Sequence, residues 1–148
     1  MGATIVTELT DAQLAAWRGF LRVHAALLKE LDAELEAAHN LPLSSYEVLI
    51  ALRAEPEGRL RMADLAERTL LSRSGMTRLV DRLERQELLS RCSCSDDARG
   101  CYAVLTEAGS ALIDRARPTH LDGVRRRFLA HLDEDDLERL SAIWSRVL

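Results

Sequence analysis

Residues 60–105 read LRMADLAERTLLSRSGMTRLVDRLERQELLSRCSCSDDARGCYAVL. Met62 to about Thr69 forms a short helix, and Leu70-Leu71 leads from it to Ser72. Ser72 is a good N-cap, because its hydroxyl accepts from the orphan N–H groups of the turn that follows. The second helix runs to about Gln86. Its Met76, Leu79, Val80 and Leu83 fall at i, i+3, i+4 and i+7 and form one core-facing stripe. The opposite face carries Ser74, Thr77, Arg78, Asp81, Arg82 and Arg85. Two helices joined by a tight turn, the second with a Ser/Thr/Arg face, describe a helix-turn-helix with a recognition helix.

The flanks extend that unit. Leu88 to Ser95 and Gly100 to Leu105 read as strands, with Asp96-Asp97-Ala98-Arg99-Gly100 as the turn between them. A hairpin directly behind a recognition helix is a wing. Upstream, Arg59 to Arg61 suits a brief strand, Pro56-Glu57-Gly58 a turn, and Ser44-Ser45-Tyr46-Glu47 a capping box opening a helix to about Ala54. Asn40-Leu41-Pro42 ends the helix before it, since the residue ahead of a proline leaves the helical region.

That first helix spans Asp11 to about His39, after a loose arm, Met1 to Thr10. Leu14, Trp17, Leu21, His24, Leu28, Leu31 and Leu35 follow a heptad-like spacing, with Ala16, Phe20, Val23 and Leu27 beside them. At 1.5 Å per residue it is about 40 Å long, more than a small winged domain covers. So much apolar surface predicts an intermolecular partner, or else a helix folded back on its own C-terminal helices. Thr106 caps a further helix to about His131, bent or interrupted at Pro118. Asp133 to Asp136 place acids on the first turn of the last helix, whose apolar face is Leu137, Leu140, Ile143, Trp144, Val147 and Leu148.

Composition sets the outer bounds. A chain of 148 residues, 47% hydrophobic, makes one globular domain or one protomer of an assembly. No run suggests a signal peptide or a membrane span, and three cysteines in such a chain point to a reducing cytoplasm. The net charge of −4 is unevenly spread. Glu57 to Tyr102 holds nine arginines against eight acids, whereas the remainder holds eleven basic residues against sixteen acidic ones. Within Ser72 to Gln86 four arginines oppose two acids, so the presumed groove face is positive. Nucleophile-elbow, phosphate-loop, zinc-protease and dinucleotide motifs are all missing, so no enzyme and no cofactor are expected.

In order, the elements are helix, helix, helix-turn-helix, wing, long helix and short helix. This arrangement resembles the MarR family of transcriptional regulators. The matching pieces are Leu65-Ala66, SRSGMTRLVDRLERQELLSR from Ser72 to Arg91, DDARG at the wing turn, and LTEAG from Leu105 to Gly109. Leu70 stands where such turns often carry Gly, and the wing cysteines are not part of the family pattern. The implied fold is mainly α, a winged helix-turn-helix with long N- and C-terminal dimerisation helices. Residues 1–148 then form a single domain, with 11–39 and 106–148 for dimerisation and 44–105 for DNA. The resemblance implies a cytoplasmic homodimer, most simply a repressor, whose recognition helices enter successive major grooves of a pseudo-palindromic double-stranded operator.

Individual roles follow. Ser74, Thr77, Arg78 and Arg82 are candidates for groove contacts, since Arg donates bidentate to guanine while Ser and Thr read less specifically. Ser72 and Arg73, at the helix start, suit phosphates. Arg99 at the wing tip suits a narrow minor groove, with Asp97 pairing an Arg to aim it. The plain alternative is a solvated helix face and a polar turn.

Two further groups carry other possibilities. In the family, small aromatic or phenolic anions bind between the dimerisation helices and the DNA-binding lobe, which nominates Trp17, Arg18, His24, Tyr46 and Glu47. His24, in an apolar stripe, is expected to be buried and to need a partner, either a ligand carboxylate or a protein group. Cys92 and Cys94 share a strand face, with Cys101 on the partner strand. They are a redox or metal clip, or simply small residues on a hairpin. The first helix has no cysteine, so the family's peroxide-sensing arrangement does not carry over. The alternatives to an effector-released repressor are therefore a thiol- or metal-responsive regulator and a winged-helix module that binds protein rather than DNA.

Overall fold

The structure, a computed structural model, describes residues 8–69, 73–93 and 101–148. Its elements are α1 (Asp11–His39), α2 (Leu43–Arg53), β1 (Arg59–Arg61), α3 (Met62–Thr69), α4 (Arg73–Arg85), β2 (Leu89–Ser93), β3 (Cys101–Leu105), α5 (Glu107–Arg127) and α6 (Glu134–Val147). A 3-10 turn, Leu129–His131, joins the last two. The fold is thus mainly helical, with one small antiparallel sheet in the order β1-β3-β2. Leu60 pairs with Ala103, and Leu89 with Leu105, which fixes the wing hairpin against the strand preceding α3.

The core forms where the helical stripes meet. Met76, Leu79, Val80 and Leu83 of α4 are all buried, as their spacing predicts, and join Val48, Leu49 and Leu52 of α2, Leu65 of α3, and Ile113 of α5. Truncating one of these leucines to alanine costs about 2–5 kcal/mol, because a buried side chain is lost and a cavity remains.

Local signals set the helix ends. Thr10 caps α1 with a capping box shared with Gln13, and Asn40 closes it in the left-handed conformation, φ 51°. Thr106 caps α5 by accepting from the Gly109 amide at 3.0 Å. Two expectations need correction here. α5 runs through Pro118 without a break and ends at Arg127 rather than near His131. Pro118 lies on an exposed side of the helix, where loss of one N–H donor is tolerable.

The capping box expected at Ser44–Glu47 does not form either. α2 begins two residues earlier, at Leu43 behind Pro42, with no side-chain cap of its own. The Leu43 amide instead donates to Asp32 Oδ1 of α1 at 2.7 Å. A neighbouring helix supplies the cap, so Ser45 sits inside the helix with its hydroxyl available to something else.

Among the described residues, α1 and α6 hold most of the exposed large apolar side chains. In α1 only Leu31 and Leu35 are buried, whereas Trp17 is 54% exposed and Phe20, Leu21, Val23 and Leu28 lie open beside it. Ile143, Trp144 and Val147 of α6 are exposed as well. α6 does lean on α1, with the Phe20 and Trp144 rings 5.6 Å apart. That contact leaves most of both faces uncovered. Further along, α1 is fastened to α5. Glu34 Oε1 accepts from Arg127 at 2.7 Å and from Arg126 at 3.2 Å, over Gly123, whose missing Cβ would collide with Glu34 and Leu31.

Candidate nucleic-acid interface

Helix α4 is held by its buried stripe and by its C-terminal end. Glu87 follows α4 in the left-handed region, φ 59°. The Leu88 amide returns to the Leu83 carbonyl at 3.0 Å, and the Glu87 amide to that of Glu84 at 2.9 Å. This pair of bonds is a Schellman closure, and it turns the chain directly into β2. Arg91 of β2 then reaches back to α4, with Asp81 Oδ1 at 2.6 Å and Glu84 Oε2 at 3.4 Å. Helix and wing are therefore clipped together at the base of the hairpin.

With the stripe buried, Ser74, Thr77 and Arg78 are presented outward on α4. Arg82 behaves differently. Its Nη2 donates to Ser45 Oγ of α2 at 2.8 Å, so the guanidinium points back along the domain. Ser72, Asp97, Arg99 and Cys94 lie outside the described residues, as do the side chain of Arg73 and the turn at Leu70.

The sheet carries two arginines, Arg59 and Arg61, that sequence reading did not single out and that gather on Tyr102. The Arg59 and Arg61 guanidinium carbons lie 5.2 Å and 5.6 Å from the centre of the Tyr102 ring, and Arg61 Nε donates to the Tyr102 hydroxyl at 3.1 Å. The i, i+2 spacing on one strand was the available signal, since it places both on one face.

The register separates the wing thiols. Cys92 stands opposite Tyr102, and Cys101 opposite Ser93. Directly paired residues share a face and successive residues alternate, so Cys92 and Cys101 lie on opposite faces. Arg91, adjacent to Cys92 in sequence, is committed to Asp81 and Glu84. Among the described residues, no group of three His, Cys, Asp or Glu side chains is arranged to hold a metal ion.

The residues nominated for an effector fall into two places. Trp17, Arg18 and His24 lie on the exposed part of α1. His24 is not buried, contrary to expectation, because the domain does not extend under that part of the helix. It stacks on Phe20 with ring centres 6.0 Å apart, in an apolar groove closed by Phe128, Leu140 and Trp144. Tyr46 and Glu47 belong to a different cleft, about 360 Å³, between α2, the end of α3 and α5. Ile50, Ala51, Arg68, Thr69 and His120 complete its lining. The Tyr46 and His120 rings are 4.7 Å apart. Burial pushes the Tyr46 hydroxyl and the Glu47 carboxyl up from their ordinary values and the His120 imidazole down. His120 Nδ1 is buried without a hydrogen-bond partner among the described residues. Arg68 is held to Glu55 at 2.5 Å at the cleft's edge.

No helix among the described residues is long and apolar enough to cross a membrane. Residues 39–100 match the family model described as MarR family. The chain is 29% identical over 103 residues to the homoprotocatechuate degradative operon repressor of Escherichia coli, covering 70% of this chain and 68% of that one. AbsC, a MarR family transcriptional regulator from Streptomyces coelicolor, superposes with a TM-score of 0.89 at 34% identity, over 96% of this chain and 95% of its own. A second MarR family regulator from Streptomyces coelicolor, solved in complex with DNA, gives 0.89 at 31% identity, over 95% and 88%. These relatives are regulators rather than enzymes. With its buried α4 stripe, clipped wing and long terminal helices, the chain belongs to the MarR family of transcriptional regulators.

Proposed function

We propose that this chain is a sequence-specific regulator of transcription, a repressor that binds a pseudo-palindromic double-stranded operator as a homodimer. The observation that carries the reading is the outward face of α4. Ser74, Thr77 and Arg78 are exposed on a helix whose other face is fully buried, in a fold superposable on a regulator solved with DNA. Arg78 reads guanine, Ser74 and Thr77 add base or phosphate contacts, and Ser72 and Arg73 hold phosphates at the helix start. The wing tip, with Arg99 aimed by Asp97, enters the minor groove. Dimerisation is supported by the bare apolar faces of α1 and α6, since a soluble monomer rarely exposes so large a contiguous patch.

Release by a small effector belongs to the same reading. The cleft under Tyr46 and Glu47 lies where α5 meets the DNA-binding elements, and His120 Nδ1, without a hydrogen-bond partner among the described residues, offers a polar contact to an aromatic or phenolic ligand. Such a ligand acts only if it binds two dimer geometries with different affinity. Trp17, Arg18 and His24 lie on the face assigned to the partner protomer. A thiol response through Cys92, Cys94 and Cys101 is the weaker reading, because Cys92 and Cys101 do not share a face.

Duplex binding followed by fluorescence anisotropy tests the proposal. The log of affinity should fall steeply with the log of salt, as counterions are released from neutralised phosphates, and saturation should come at one dimer per duplex. A flat salt response, or a monomer at saturation, argues for the protein-binding module instead.

A further inference from the structure

The first turn of α2 ties two other helices together. Asp32 of α1 caps it through the Leu43 amide at 2.7 Å, and Ser45, two residues on, accepts Arg82 of α4 at 2.8 Å. Ser45 is 1% exposed, a polar side chain set in the core. A hydroxyl so placed is costly unless it is hydrogen-bonded, and Arg82 supplies a charged donor to it. The bond crosses from α4 to α2, a helix outside the α3–α4 helix-turn-helix pair. It also lies one turn beyond Arg78, so it fixes how far α4 can roll about its own axis. A roll that moves Arg78 by about 1 Å is enough to spoil bidentate geometry on a base edge.

We infer that Ser45 and Arg82 are positioning residues for DNA recognition, with Arg82 acting through Ser45 rather than on a base. The pair sets the roll of the recognition helix, and Asp32 references that setting to the dimerisation helix. The inference rests on the DNA-binding reading given above. It predicts that a buried residue with no access to DNA governs sequence discrimination.

The test compares wild type, Ser45→Ala, Arg82→Ala and the double variant. Each is measured against a duplex selected by the wild-type chain from a random pool and against a scrambled duplex of the same length. Ser45→Ala should reduce the selected-to-scrambled affinity ratio about tenfold, which is about 1.4 kcal/mol, and Arg82→Ala should do the same. The double variant should lose no more than either single one, because both remove the same bond. The salt slope on the scrambled duplex should stay at its wild-type value, since no phosphate contact is removed. Arg82 is exposed enough to return to water, so Ser45→Ala leaves no orphaned buried charge and carries the test if Arg82→Ala does not fold.

A wild-type ratio in Ser45→Ala overturns the inference, even if the melting midpoint falls. So does a loss in Arg82→Ala confined to one base pair and not reproduced by Ser45→Ala, which would make Arg82 a base reader. If the wild-type chain itself selects no duplex, the DNA-binding reading has failed first, and the control shows it.

Discussion

Gly109, in the first turn of α5, lies against the main chain of Leu88 in the connection from α4 to β2. A Cβ at this position would overlap the Leu88 carbonyl oxygen and stand 2.8 Å from Leu105 Cδ1. The same carbonyl accepts from the Thr106 amide at 3.3 Å, so swinging it away would cost that bond as well.

Gly109→Ala should therefore destabilise the fold by roughly 3 kcal/mol, the upper part of the range for overpacking, because backbone rather than a flexible side chain must move. Urea denaturation checks this. An alanine variant within about 0.5 kcal/mol of wild type would mean that the connection relaxes freely.

Glu87 sits at the opposite kind of position. Its φ of 59° is needed for the closure of α4, yet it carries a side chain that the left-handed region disfavours. Glu87→Gly should stabilise the protein by about 1 kcal/mol, with the midpoint shifting and the m-value unchanged. A loss of stability would show that the side chain makes a compensating contact.

Mild acid should loosen the joint between α2 and α5. Desolvation beside Tyr46 holds the His120 imidazole below its ordinary 6.5, so the unfolded chain takes up the proton first. Its contribution is fully present above 6.5 and is lost as pH falls through the lower folded value. Glu34 adds a second, more acidic window. Its hydrogen bond from Arg127 is the main cause that keeps its carboxyl below 4.5, so this contribution is lost as pH falls beneath that. In stability measured against pH, His120→Phe should remove the upper slope and leave the lower one. An unchanged upper slope would assign it to another group.

The proposed DNA contacts separate by the role given to each arginine. Arg78→Ala should cut discrimination among operator variants by about 1–3 kcal/mol at one base pair. Arg99→Ala should weaken binding to all duplexes alike and leave the melting midpoint alone. Wild-type affinity in the Arg99 variant would remove the wing tip from the interface.

The elements read most surely from sequence were those whose evidence is local. Met76, Leu79, Val80 and Leu83 are buried because a helix repeats its faces every three to four residues, whatever surrounds it. Thr106 caps α5 as a hydroxyl residue does, whereas Asp133, expected on the first turn of the last helix, stands one step before it as the cap and accepts from the Asp136 amide at 2.8 Å. Less legible were contacts between partners distant in sequence. Nothing near Leu43 shows that Asp32 caps it, so sequence alone favours the next available serine as the helix start. Arg82 falls on the outward side of a helical wheel, but a long side chain can turn back, and α2 happens to lie within reach. His24 continues an apolar spacing that the domain itself does not cover. The cleft at Tyr46 depends on His120, which carries no motif, and only the packing of α5 on α2 brings the two rings together.

Selection from a pool of random duplexes, sequenced after enrichment at two salt concentrations, tests the central claim most directly. The account predicts an inverted repeat whose half-sites are centred about one helical turn apart, near 34 Å, enriched at both salts. Recovery of no common sequence, with the reduced, ligand-free protein folded and dimeric, would contradict it.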